Sequence, residues 1–98
     1  MIGARHEGIP YNRESILSEA ARESGVYAIH NRQTWIYVGE TADIQVRLLE
    51  YLNGDNECIL RHNPTGFQFE RCPASQRVWR QRAWIGMLNT TCNERLRS

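Results

Sequence analysis

Tyr27, Tyr37, Arg47 and Tyr51 are the residues whose types and spacing suit chemistry on a phosphodiester: three positions ten apart, then a phenol one helical turn further on. A guanidinium can grip a phosphate and stabilise the charge of a pentacovalent transition state. A phenol can orient a water or take its proton. At its ordinary pKa of about 10 it is a poor base at neutral pH and needs help from a cation. Taken singly, each piece has a plainer explanation. Strand tyrosines usually pack in a core, a helix arginine is usually solvated, and Gly25 and Gly39 can simply punctuate turns. Only the ordered set points to a site.

Bringing these side chains together requires particular elements. Arg13 to Glu23 reads as a helix with Ile16, Leu17, Ala20 and Ala21 on one side, capped by Asn12 and followed by Gly25. Val26 to His30 and Trp35 to Gly39 carry the β-branched and aromatic residues of strands, and the turn-prone Asn31 to Thr34 joins them as a hairpin. A helix is expected from about Asp43 to Leu52, capped by Thr41 or Asp43 and stopped by Gly54, which puts Arg47 and Tyr51 on one face. A short helix around Cys58 to Arg61 precedes a third strand, Gly66 to Arg71. Ser75 is expected to cap a last helix, Gln76 to Leu88, with an inward stripe of Val78, Gln81, Trp84, Ile85 and Leu88, and a polar tail closes the chain. The order predicts an α+β layer fold, a small sheet covered by helices, in one domain spanning 1–98.

With these elements assigned, Gly25-Val26-Tyr27, Tyr37-Val38-Gly39, Arg47 and Tyr51 resemble the signature of the GIY-YIG nucleases. Ala83-Trp84-Ile85 and Cys92-Asn93 look like that family's last helix and terminal asparagine, so the resemblance runs from Gly25 to Asn93. It implies a three-stranded antiparallel sheet flanked by helices, with endonuclease chemistry on DNA. By resemblance, Tyr37 or Tyr27 is the general base, Arg47 contacts the scissile phosphate, and Tyr51 joins the hydrogen-bond network. Gly39 and Asn93 support the site. The resemblance further implies one divalent metal, Mg2+ or Mn2+, held by a glutamate of the last helix.

Counting back from Asn93, that glutamate position falls on Gln81. No Asp or Glu occurs between Gln76 and Leu88, and a neutral amide is a weak ligand for a hard cation. Three explanations compete: an introduced inactivating change, a natural loss leaving a domain that binds without cutting, or a metal held instead by Glu70 or Glu40. The departure puts catalysis in question more than fold.

The bulk numbers fit this reading. A chain of 98 residues, 41% hydrophobic and 23% charged, has the make-up of one ordinary globular domain. No apolar run approaches the roughly 20 residues of a membrane span, and the charged first residues do not read as a signal peptide, so the expected location is the cytoplasm. The net charge of +1 hides an asymmetry: five arginines face nine acids up to Glu57, whereas seven arginines face two acids from Cys58 onward. The basic half is the expected face for nucleic acid, with Arg77, Arg80 and Arg82 of the last helix as candidate phosphate contacts beside Trp79 and Trp84. A non-catalytic nucleic-acid-binding module is the alternative on the same fold. A protein-interaction role would use the acidic helix Arg13 to Glu23 to dock a partner. The three cysteines, Cys58, Cys72 and Cys92, form no close pair and read as reduced thiols. A zinc site made of these and His62 would have only the Cys58–His62 spacing in its favour.

Overall fold

Asn31 turns the chain between the two apolar runs in the computed structural model, which describes residues 2–93. Its side-chain oxygen accepts from the backbone N–H groups of Gln33 and Thr34, and its own N–H donates to the Thr34 carbonyl. This turn closes a hairpin of β2 (Gly25–His30) and β3 (Trp35–Thr41), with a register shift between Ile29 and His30. β4 (Gly66–Arg71) pairs antiparallel with the other side of β2, so β2 is central and buried throughout.

The sheet has four strands where three were expected. Ile9–Pro10, here β1, lies antiparallel on the outer side of β4, with Ile9 opposite Phe67 and Pro10 opposite Gly66, giving the order β1-β4-β2-β3. Proline cannot donate to a ladder and is tolerated on an edge strand, which is why this two-residue strand carries no sequence signature.

Alternation along the strands sends side chains to two cores, except that the register shift beside Ile29 and His30 puts Ile36 and Val38, two residues apart, on opposite faces. Tyr27, Ile29, Ile36 and Phe67 point to the face covered by α1 (Arg13–Glu19), α2 (Ile44–Leu52) and α3 (Glu57–Arg61), where they meet Ile16, Ile44, Leu48, Tyr51 and Ile59. Val26, Ala28 and Val38 point to the opposite face, where Cys72 and Trp84 pack beneath α4 (Ala74–Leu88).

Two caps are as expected: Asn12 accepts from Ser15 N–H and Asp43 accepts from Val46 N–H. α1 ends at Glu19 rather than Glu23. The carbonyls of Ala21 and Glu23 instead accept from the backbone N–H groups of Gln45 and Ile44 at the start of α2. α4 begins at Ala74 with Pro73 as its first flanking residue, so Ser75 lies inside the helix and is not its cap. Val78 is half exposed, which removes it from the expected inward stripe. The polar tail, with Arg95 and Arg97, lies outside the described residues.

The cysteines depart furthest from expectation. Cys58 of α3 and Cys92 are joined in a disulfide, their Cα atoms 5.8 Å apart, while Cys72 is a buried free thiol. The pairing arises because the segment after α4 folds back along β3, with Thr91 N–H donating to the Trp35 carbonyl and Cys92 N–H to that of Ile36. A sequence separation of 34 residues hid it.

Leu48, fully buried between α2 and the sheet, is expected to be a main anchor of this layer. Leu48→Ala should lower unfolding stability by about 2–5 kcal/mol. Leu17→Ala, at an exposed position of α1, should change it by less than about 0.5 kcal/mol in the same denaturant titration. Equal losses would overturn this assignment of the core.

Candidate active site

The hairpin and α2 bring three of the predicted side chains into one triangle. The ring centroids of Tyr27, Tyr37 and Tyr51 lie 6.2, 6.1 and 5.4 Å apart, and the Tyr51 hydroxyl donates to that of Tyr37 at 3.4 Å. The Tyr27 ring lies across β3 at Gly39, its partner in the register. A Cβ at Gly39 would stand 2.1 Å from the Tyr27 hydroxyl, so only glycine leaves room for it. Arg47 stacks its guanidinium 4.4 Å from the Tyr51 ring centroid and pairs with Glu50 and, at 3.7 Å, Asp55. The Glu50 contact comes first among the effects that hold Arg47 charged.

Burial dominates the phenols. It pushes the pKa of Tyr27 and of Tyr37 far above the ordinary tyrosine range, with Tyr51 adding to both and Arg47 only partly offsetting it. Tyr27 is 1% exposed. As folded here, Tyr27 is a neutral packing residue rather than an accessible base. Tyr37 is half-buried and reaches a cavity of about 600 Å3, lined also by Asn56, Cys58, Gln81, Arg82, Ile85, Cys92 and Asn93.

That cavity lies along β3, the edge strand. The edge groups of Val38 are satisfied by Asn93, whose Oδ1 accepts from Val38 N–H and whose Nδ2 donates to the Val38 carbonyl, both at 2.8 Å. Thr90 Oγ1 donates to the same Asn93 oxygen. Gln81 Nε2 donates to the Val38 carbonyl at 3.3 Å, so Gln81 faces inward as its place in the helix required. Tyr37, Gln81 and Asn93 thus meet at the cavity, whereas Tyr27, Arg47 and Tyr51 form the row behind Tyr37.

Two of the expected phosphate contacts are not available there. Arg77 donates to Glu40 at 2.7 Å and Arg80 to Glu70 at 2.8 Å. Glu40 and Glu70 flank Val26 in the register, on the side of the sheet that α4 covers. Those pairs clamp α4 to the sheet, and of the three helix arginines Arg82 is the one that lines the cavity. Trp84 is core, and Trp79 is 73% exposed. The same pairs remove Glu40 and Glu70 as substitute metal ligands, since neither lines the cavity.

The described lining residues offer a divalent cation three neutral amides (Asn56, Gln81 and Asn93) and a neutral phenol beside an arginine, with no carboxylate among them. A hard cation requires charged oxygens, so the donor set does not fit magnesium. It fits an anion. Sequence reasoning missed Asn56, Thr90 and the two half-cystines. The short spacing of Thr90 to Asn93 was a local signal for Thr90, and that of Cys58 to His62 marked one half-cystine without its partner.

Two expectations follow. Burial also raises the Tyr11 phenol, so three of the four tyrosines stay protonated where free tyrosine ionises. Their contribution to stability is complete below about pH 10 and falls as pH rises above it, because the unfolded chain then releases protons that the folded chain keeps. Phenolate absorbance at about pH 11 should remain well below that of the unfolded chain. Full ionisation near pH 10 without unfolding would sink this. Gly39→Ala should displace the Tyr27 ring and cost about 1–3 kcal/mol, and an unchanged melting profile would show that the ring is not tightly held.

Comparison with known proteins agrees with this geometry. The family model described as the GIY-YIG catalytic domain matches residues 23–90. The magnesium-bound GIY-YIG N-terminal endonuclease domain of UvrC from Thermotoga maritima is 25% identical, with a TM-score of 0.72, and the match covers 84% of this chain and 94% of that one. Two point mutants of that domain, one replacing an asparagine by alanine and one a tyrosine by phenylalanine, each bound to its catalytic divalent cation, match at 24% identity and TM-score 0.73 over 85% and 94% of the two chains. No curated protein matches. No helix of the described residues is long and apolar enough to cross a membrane. With its signature residues assembled on the matching fold, the chain belongs to the GIY-YIG nuclease family.

Proposed function

We propose that this single domain is a GIY-YIG module that engages the phosphodiester backbone of DNA at the β3 edge, with hydrolysis weakened or lost because Gln81 stands where the family places its metal-binding glutamate. The observation that carries this is the cavity lined by Tyr37, Gln81, Arg82 and Asn93, with no carboxylate among its described lining residues. Arg82 supplies a cation to a phosphate, and Arg47, part exposed behind Tyr37, supplies a second only by exchanging Glu50 and Asp55 for the phosphate. The neutral Tyr37 phenol donates a hydrogen bond to a phosphate oxygen or fixes a water, and Tyr51 holds it from behind. Asn93 keeps the strand edge in place. Nothing in this arrangement takes a proton from water at neutral pH, because burial keeps both phenols protonated.

The chain as given should bind DNA with an affinity that falls steeply as salt is added, since phosphate contacts release counterions. It should leave supercoiled and branched DNA uncut in magnesium or manganese. Gln81→Glu should nick the same DNA, and Arg47→Ala in that background should abolish nicking. Nicking by the unaltered chain would show that no carboxylate is needed at position 81. A Gln81→Glu protein that folds and binds yet never cuts would leave the domain a binding module. The absence of any DNA affinity at low salt would transfer the assignment to a protein-docking role for α1.

A further inference from the structure

Cys58, His62 and Cys92 take no part in the reading above, yet two of them wall the same cavity. Cys58 and His62 are one turn apart, and Cys92 is brought to them by the segment that follows the β3 edge. One donor atom from each lies within 4.8 Å of the others, and all three residues are half-buried. His62 Nδ1 stands 3.9 Å from the Cys58 sulfur and 3.6 Å from that of Cys92. In a tetrahedral zinc site, bonds of about 2.3 Å to sulfur and 2.0 Å to nitrogen place those atoms about 3.5 Å apart. The imidazole nitrogen therefore already lies at about ligand distance from both sulfurs, and a turn of the ring from the Cys58 carbonyl would aim it at the metal. The disulfide holds the two sulfurs closer than ligation allows.

We propose that Cys58, His62 and Cys92 form a thiol-gated site for a soft divalent metal ion of zinc type, closed as the disulfide and opened by reduction. A dithiol reductant supplies two electrons. The Cys58–Cys92 S–S bond breaks, the reductant closes its own S–S bond, and its two protons pass to the freed sulfurs. Loading displaces those protons, since only thiolates ligate. His62 Nδ1 lies 2.8 Å from the Cys58 carbonyl oxygen and carries the ring proton in the disulfide form. On loading, that proton moves to Nε2, which leaves Nδ1 free to bind. Three protein ligands leave one tetrahedral position for water from the cavity. The soft thiolate and imidazole set selects against magnesium, so this site is distinct from the position of Gln81 and independent of any DNA reading.

The test uses the full chain, reduced by a dithiol, freed of it without oxygen, and titrated with Co2+ and then Zn2+. One equivalent of cobalt should give thiolate-to-cobalt absorption and the visible bands of a tetrahedral ion, both removed by zinc. The oxidised chain should give neither. Cys58→Ser with Cys92→Ser should abolish the signal, His62→Ala should weaken binding at least about tenfold, and Cys72→Ser should leave it unchanged. Reduced and oxidised forms of the unaltered chain compared directly keep the test valid if a variant fails to fold. A reduced chain that retains its circular dichroism and binds cobalt no better than the oxidised one would overturn the proposal, leaving a purely structural crosslink. Because DNA cleavage is not read, this failure is distinguishable from failure of the nuclease reading.

Discussion

A sheet edge exposes backbone donors and acceptors that must be satisfied by something. In this chain the edge is β3, and its own C-terminal segment satisfies it. Thr91 and Cys92 donate to the Trp35 and Ile36 carbonyls, and Asn93 adds side chain to backbone, its amide both accepting from and donating to Val38. Because those bonds are directional, they fix where α4 ends and where Gln81 and Arg82 stand relative to Tyr37. The cavity is what remains between the covered edge, α4 and α3.

Charge is distributed with the same economy. Val26, at the centre of the sheet, is flanked by Glu40 and Glu70, and α4 meets them with Arg77 and Arg80. The two pairs are part exposed, so each contributes modestly to stability, but together they set the rotation of the helix. That rotation turns Trp84 into the core and leaves Arg82 at the cavity. Glu40 and Glu70 are thereby held in ion pairs on the face of the sheet that α4 covers. On the other face, three phenols pack together, and burial holds Tyr27 and Tyr37 protonated as hydrogen-bond donors in the resting domain.

Much of this was legible in the residues. The hairpin followed from β-branched and aromatic runs about Asn31, and the placement of Tyr27, Tyr37, Arg47 and Tyr51 followed from strand and helix periods that local sequence states directly. Gln81 was located by counting back from Asn93 and placed inward by the stripe it shares with Trp84, Ile85 and Leu88. What escaped notice was non-local or had the opposite polarity to the rule applied. The apolar stripe of α4 was extended to Val78 because an inward helix face was expected to be apolar, whereas its first half packs through salt-bridged arginines. β1 is two residues long and contains proline. The Cys58–Cys92 pair depends on the C-terminal segment turning back along β3, and no spacing rule reports such a return.

The environment of Gln81 shows what its amide contributes to the fold. Its amide nitrogen donates to the Val38 carbonyl, which also receives Asn93 Nδ2. A carboxylate has no proton to give and would face that carbonyl with like partial charge. A glutamate at position 81 must therefore turn from β3 toward the cavity, giving up a bond worth about 0.5–1.5 kcal/mol. The glutamine ties α4 to the edge strand, whereas a glutamate would place its charge where a cation could be held. On the proposed reading, position 81 sets structural cohesion against metal affinity through one exchange of an amide for an acid, and in this chain the exchange favours cohesion.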